Sequence, residues 1–159
     1  MSDTPDFLAE RMRAESEKTV EFFTALSPES WEQSIYTDGS CWAVRQVLAH
    51  FVSTEAAFGR LIENILAGGS GAPEEFDINA YNERKVASLQ HVAPPELLLQ
   101  FSRLRQRNIE VVSKMSQANL ALQGRHPFLG MTELVEIIKL LYRHNQIHQR
   151  DIRKHLAGY

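Results

Sequence analysis

Four long stretches in which apolar residues recur every three or four positions, set apart by proline- and glycine-marked breaks, constrain this chain of 159 residues more than anything else in it. A helix with one apolar stripe must bury it, and several such helices bury their stripes against one another. The first stretch starts at Thr4, a capping side chain with Pro5 just inside the helix. It runs to about Leu26 through Phe7, Leu8, Met12, Val20, Phe22 and Phe23. "SPES", Ser27 to Ser30, repeats the cap-then-proline signal for a short turn, and "YTDGS" reads as a loop. Ser40 is the expected cap of a second helix, Cys41 to Ala67. That helix is striped by Val44, Val47, Leu48, Phe51, Phe58, Ile62 and Ile65 and stopped at Gly68 and Gly69.

"GGSGAPEEFD" is the clearest loop. It lacks the phosphate-cradling glycine patterns and has no strand before it. Asp77 is placed to cap a short helix ending near Leu89. "HVAPP" interrupts, and a third long helix follows from about Pro95 to Leu120. "ALQGRHPFLG" reads as the last loop. Thr132 is the expected cap of the final helix, which ends near Leu156 and carries Glu133 and Glu136 at its positive end. Nothing alternates for long enough to suggest a sheet. The expectation is therefore all-α, a four-helix bundle with one short extra helix, in a single domain over residues 1–159.

Composition narrows the function classes. Hydrophobic residues at 43% and charged residues at 23% are ordinary for a soluble domain, which argues against disorder and against a membrane protein. A net charge of -3 offers no general attraction to nucleic acid or anionic lipid, and "RLRQR", Arg103 to Arg107, reads as a solvated helix face. Nucleic acid is accordingly not an expected partner. Cys41 stands alone, which excludes an internal disulfide and any CxxC motif. The first residues carry acids rather than the apolar run of a signal peptide, and no stretch approaches a membrane span; cytoplasmic residence is the expectation. A chain of this length needs no metal merely to fold, so a metal site in it points to function.

His144 and His148, in "LLYRHNQIHQRDI", lie about 40° apart on a helical wheel and share a face with Ile137 and Leu141. Two imidazoles at this spacing can hold one cation from a single helix face. The Glu of the HExxH protease motif is absent, with Asn145 in its place. Core histidines with hydrogen-bonded rings are the competing account. Two ligands alone hold a metal weakly, and His50, on the flank of the second stripe, is the best third candidate. His155 lies nearly two turns beyond His148, His126 sits in a loop before Pro127, and His91 has no supporting neighbours. Glu55 falls near the middle of an apolar stripe, as a general base or as the partner of a buried arginine. Asp151 is placed to orient an imidazole, with a surface ion pair to Arg150 or Arg153 as the alternative.

The run "CWAVRQVLAHFVSTE", the final-helix HxxxH with its following basic residues, and "DINAYNE" from Asp77 to Glu83 together resemble the DinB-like superfamily of damage-inducible and related metalloenzymes. That resemblance implies an up-down-down-up four-helix bundle with a divalent cation on His50, His144 and His148, frequently in a homodimer. It also implies open coordination positions for water or substrate, and in some relatives a low-molecular-weight thiol such as bacillithiol, mycothiol or glutathione. Zinc, nickel and ferrous iron all suit three neutral imidazoles. The reading that follows is a metal-dependent transferase or hydrolase acting on a small-molecule electrophile, assisted by Glu55 or Asp151. The alternative is a non-catalytic bundle that binds a ligand or partner and uses its histidines for packing.

Overall fold

The computed structural model describes residues 3–157. Helix α1 (Pro5–Thr24) starts where its cap says it should, with Thr4 Oγ1 accepting the Phe7 N–H at 3.1 Å. After a 3-10 turn at Pro28–Glu32 the chain folds back on itself. The Ile35 and Tyr36 N–H groups donate to the Trp42 carbonyl, and Trp42 N–H donates to the Tyr36 carbonyl. This pairing holds Cys41 and Trp42 extended, so α2 (Val44–Leu66) begins later than expected. Its cap is Ala43, whose N–H is taken by Gln46 Oε1 at 2.7 Å; Ser40 plays no part.

Asp77 does cap α3 (Ile78–Ser88), accepting from Ala80 N–H at 3.0 Å. Helix α4 (Pro94–Ser113) stops short of the expected Leu120. Ser116 and Asn119 exchange side-chain-to-backbone hydrogen bonds, and such a local turn competes with continued helix. A 3-10 turn at Ala118–Ala121 then leads into an antiparallel hairpin, β1 (Gln123–His126) and β2 (Gly130–Glu133), paired from Gln123↔Glu133 to His126↔Gly130. The hairpin amends the all-helical expectation. Thr132 pairs with Gly124 instead of capping, and α5 (Leu134–Leu156) is entered from Glu133.

The four long helices close a ring in which α1 and α2 each pack on both α4 and α5. Two apolar clusters fill it. One holds Leu8 and Met12 of α1, Ile62 of α2, Ile109 of α4 and Ile137 of α5; the other holds Phe23, Phe51, Phe101 and Ile152 from the opposite ends of the same helices. That distribution has α1 and α5 running one way and α2 and α4 the other.

Buried polar side chains from all four helices separate the clusters: Glu15 and Thr19, Glu55, Arg105 and Asn108, Asn145 and Gln149. At the centre of this layer Arg105 is completely buried. Its Nη2 donates to Glu55 Oε1 at 2.6 Å and to Asn145 Oδ1, and its Nη1 donates to the Met12 carbonyl at 3.2 Å. Asn108 Nδ2 donates to Glu55 Oε2 at 2.9 Å, and Gln149 Nε2 to Thr19 Oγ1 at 2.7 Å. The solvated face expected for "RLRQR" is thus only partly so: Arg103 and Arg107 are exposed, while Arg105 ties α4 to the three other long helices. No described helix is long and apolar enough to cross a membrane.

Candidate metal centre

The polar layer aligns α5 against α2, and one consequence is the meeting of three imidazoles. His144 Nε2 lies 2.9 Å from His50 Nε2 and 3.0 Å from His148 Nε2, and one ligand atom from each ring falls within 4.8 Å of the others. His50 is buried, and its partners are half-buried. Trp42 and Phe51 wall the cluster, with the Trp42 ring 4.8 Å from His50 and Phe51 5.9 Å from His144 and 5.8 Å from His148 between centroids. The flank position read for His50 is therefore the one that faces α5.

Hydrogen bonding alone accounts poorly for this convergence. An imidazole nitrogen has a single in-plane site, lone pair or N–H, so His144 Nε2 cannot bond well to both neighbours at once. Three lone pairs aimed at one cation resolve the conflict. Nitrogens each about 2.0–2.1 Å from a common divalent ion stand roughly 2.9–3.4 Å apart when adjacent. The residues present fit such an ion. Burial also keeps the rings neutral, as ligands must be. It pushes His50 down to about 3, aided by the charge of His148, and holds His144 well below the usual histidine range, with His50, His148, His126 and Arg105 adding to the effect. His148 is lowered by burial too, with Asp151 opposing.

One ring has its proton placed by the protein. The Tyr36 hydroxyl lies 2.6 Å from Asp151 Oδ2 and 2.7 Å from His148 Nδ1. Burial first, and then the hydrogen bond and charge of Asp151, raise the pKa of Tyr36, so the phenol keeps its proton and donates it to the carboxylate. Its oxygen is left to accept from His148 Nδ1–H, which places the lone pair of that ring on Nε2, facing the other two. The Nδ1 atoms of His50 and His144 are buried without a partner among the described residues. Asp151 reaches His148 through a tyrosine more than a hundred residues away in the chain, not by accepting the imidazole N–H itself as the sequence reading had it.

Glu55 sits apart from this relay, 1% exposed, with Arg105 on one oxygen and Asn108 on the other, which is the buried-arginine alternative of the sequence reading. His91 and His155 are exposed and lie outside the cluster. His126 lines a separate cavity of about 360 Å³ that also takes in Thr54, one turn beyond His50, together with Phe58, Leu61, Phe76 and Tyr81. Tyr36 escaped the sequence reading, and Arg105 and Asn145 were not read there as buried members of the Glu55 network. Tyr36 sits in an irregular loop, where no periodicity marks it. Arg105 and Asn145 each interrupt a helical stripe, a signal that pointed to Glu55 and was equally available for them.

Fold and site together define a helical bundle with a cluster of three histidines able to hold a metal. The chain belongs to the DinB superfamily, which matches residues 10–152. No curated protein matches it. Among solved structures it is similar to an uncharacterized protein from Clostridium difficile 630, at 14% identity and a TM-score of 0.77, over 99% of this chain and 98% of that one. It is also similar to YfiT from Bacillus subtilis, described as a probable metal-dependent hydrolase with an unusual four-helix bundle topology. There the identity is 17% and the TM-score 0.74, over 94% of this chain and 84% of that one. A third relative is the colibactin self-resistance protein ClbS, solved in complex with a dsDNA, at 10% identity and a TM-score of 0.75, over 97% and 96% of the two chains. At these identities the likeness establishes the fold.

Proposed function

We propose that this protein is a divalent-metal-dependent enzyme acting on a small electrophile, with water or a low-molecular-weight thiol as the attacking partner. The observation that carries the proposal is the convergence of the His50, His144 and His148 Nε2 atoms, together with the relay from Asp151 through Tyr36 to His148. The probable metal dependence of YfiT points the same way. A divalent cation held by three imidazoles supplies Lewis acidity and lowers the pKa of a water or thiol toward neutrality. Zinc, nickel and ferrous iron are all served by this donor set.

The chain's own groups have separable tasks. Tyr36 and Asp151 hold the His148 proton on Nδ1 and fix the ring's direction. Glu55 acts through Arg105, whose bond to Asn145 holds α5 next to His144. Trp42 and Phe51 pack against the imidazoles. Cytoplasmic residence and a homodimer belong to the same proposal.

The test is consumption of 1-chloro-2,4-dinitrobenzene with glutathione, bacillithiol or mycothiol, beside hydrolysis of a p-nitrophenyl ester. Turnover that is lost on chelation, restored by zinc, nickel or ferrous iron and absent from His148→Ala supports the proposal. Turnover indifferent to all three treatments favours the non-catalytic ligand-binding alternative. A DNA partner, against which net charge weighs, gains some weight from the dsDNA complex of ClbS. In this chain the middle arginine of the basic patch is buried, which weakens that patch. A salt-dependent mobility shift with duplex DNA decides it.

A further inference from the structure

The cavity beside the histidines has a chemistry of its own. Its body is apolar, built from Phe58, Leu61, Phe76 and Ile78. Among the described residues no carboxylate lines it, and Arg60 is its one charged lining residue. Arg60 Nη2 donates to the Tyr81 hydroxyl at 2.7 Å, which leaves the Tyr81 O–H proton free to donate elsewhere. The single lone pair of His126 Nδ1 is shared between the N–H groups of Phe128 at 3.0 Å and Leu129 at 3.2 Å. That arrangement places the ring's own hydrogen on Nε2, so this histidine too is a donor. Arg60, Tyr81 and His126 therefore present hydrogens, and a ligand that brings acceptors satisfies all three.

The walls are held in place. Gly71, at φ +89°, lies so close to β1 that an added Cβ would overlap the backbone N and O of Arg125. The Arg125 carbonyl accepts Ala72 N–H at 2.8 Å, and Arg125 N–H donates to the Ser70 carbonyl at 2.8 Å. The glycine-rich loop is thereby stitched to the hairpin as a fixed wall of the cavity.

From this combination we infer that the cavity binds a small anion with a flat apolar body, such as an aromatic carboxylate or sulfonate, its acid group on Arg60, Tyr81 and His126 and its ring against Phe58 and Phe76. Under the metal-dependent reading above, on which this last step rests, the bound molecule is the substrate; Thr54 in the lining, one turn along α2 from His50, is the link between the cavity and the histidines.

The test is titration of the full chain with 8-anilinonaphthalene-1-sulfonate and, separately, with the neutral N-phenyl-1-naphthylamine, followed by fluorescence. One saturable site for the sulfonate is expected, weakened about tenfold by Arg60→Met, as for loss of a charge-assisted contact. Ala57→Phe, which fills the cavity from α2, abolishes the site in a protein whose helicity and melting are unchanged; if that variant fails to fold, Arg60→Met carries the test alone. No saturable site, sulfonate binding that survives Ala57→Phe in a folded protein, or equal binding of the neutral probe with indifference to Arg60→Met overturns the inference. Measuring the metal content of the same preparation, purified without chelator, separates the two readings. A dye site in a protein that retains no metal leaves the cavity standing and removes the metal centre, whereas retained metal without a dye site does the reverse.

Discussion

The Tyr36 hydroxyl lies 2.7 Å from His148 Nδ1, and this contact joins a loop before α2 to the helix that supplies two of the three converging imidazoles. Because Asp151 takes the phenol proton at 2.6 Å, the contact sets which nitrogen of His148 has a free lone pair. Tyr36→Phe removes the acceptor for Nδ1–H without touching a metal-facing atom. The expected outcome is a loss of about 10–100-fold in metal affinity, measured by competition with a calibrated chelator, with thermal unfolding of the metal-free protein little changed. Asp151→Asn should move affinity in the same direction.

The Glu55–Arg105 pair, 1% and 0% exposed, is a matter of stability. Glu55→Ala strands a buried guanidinium and opens the contact among α1, α2, α4 and α5. A loss of about 3–5 kcal/mol in chemical denaturation is expected. Replacing Glu55 and Arg105 together by leucine and methionine should recover much of it, since the cost lies in the unpaired charge.

Gly71 tests the stitching of the glycine-rich loop. Alanine there must adopt a left-handed backbone and also overlap Arg125. Gly71→Ala is expected to lose at least about 1–3 kcal/mol of stability and to speed hydrogen exchange at the Ala72 and Arg125 amides.

The hairpin turn should respond to acid. Burial lowers the pKa of His126, and its neutral Nδ1 accepts two backbone N–H groups, so protonation puts a hydrogen where both donors point. The unfolded chain takes up that proton first, near the ordinary value of about 6.5. The contribution of this histidine is therefore complete above about pH 6.5 and is lost as the pH falls through its depressed folded value. Amide shifts of Phe128 and Leu129 should move over that acidic range, and the movement should be absent in His126→Gln.

Much of this structure is legible in the sequence wherever periodicity or capping chemistry is at work. The stripes place α1, α2, α4 and α5, and Thr4 and Asp77 cap as their side chains suggest. The hairpin is not legible, because "QGRH" and "GMTE" have four residues each and no apolar alternation. Their pairing rests on backbone bonds and on Leu134 N–H reaching the Leu122 carbonyl at 2.8 Å. His144 and His148 announce themselves by spacing, and His50 by its place on a stripe's flank. Tyr36 does not, since its role exists only once the chain has brought it across to α5. Arg105 looked solvated because charge density in "RLRQR" masked the one arginine that shares a face with Phe101, Asn108 and Ile109.

Metal content speaks most directly to the convergence of three imidazoles on one ion. Elemental analysis of protein purified without chelator should find close to one equivalent of a divalent transition metal in the wild type and none in folded His148→Ala. A well-folded wild type that carries no metal, and whose melting temperature is unmoved by added zinc, nickel, manganese or ferrous iron, would contradict it.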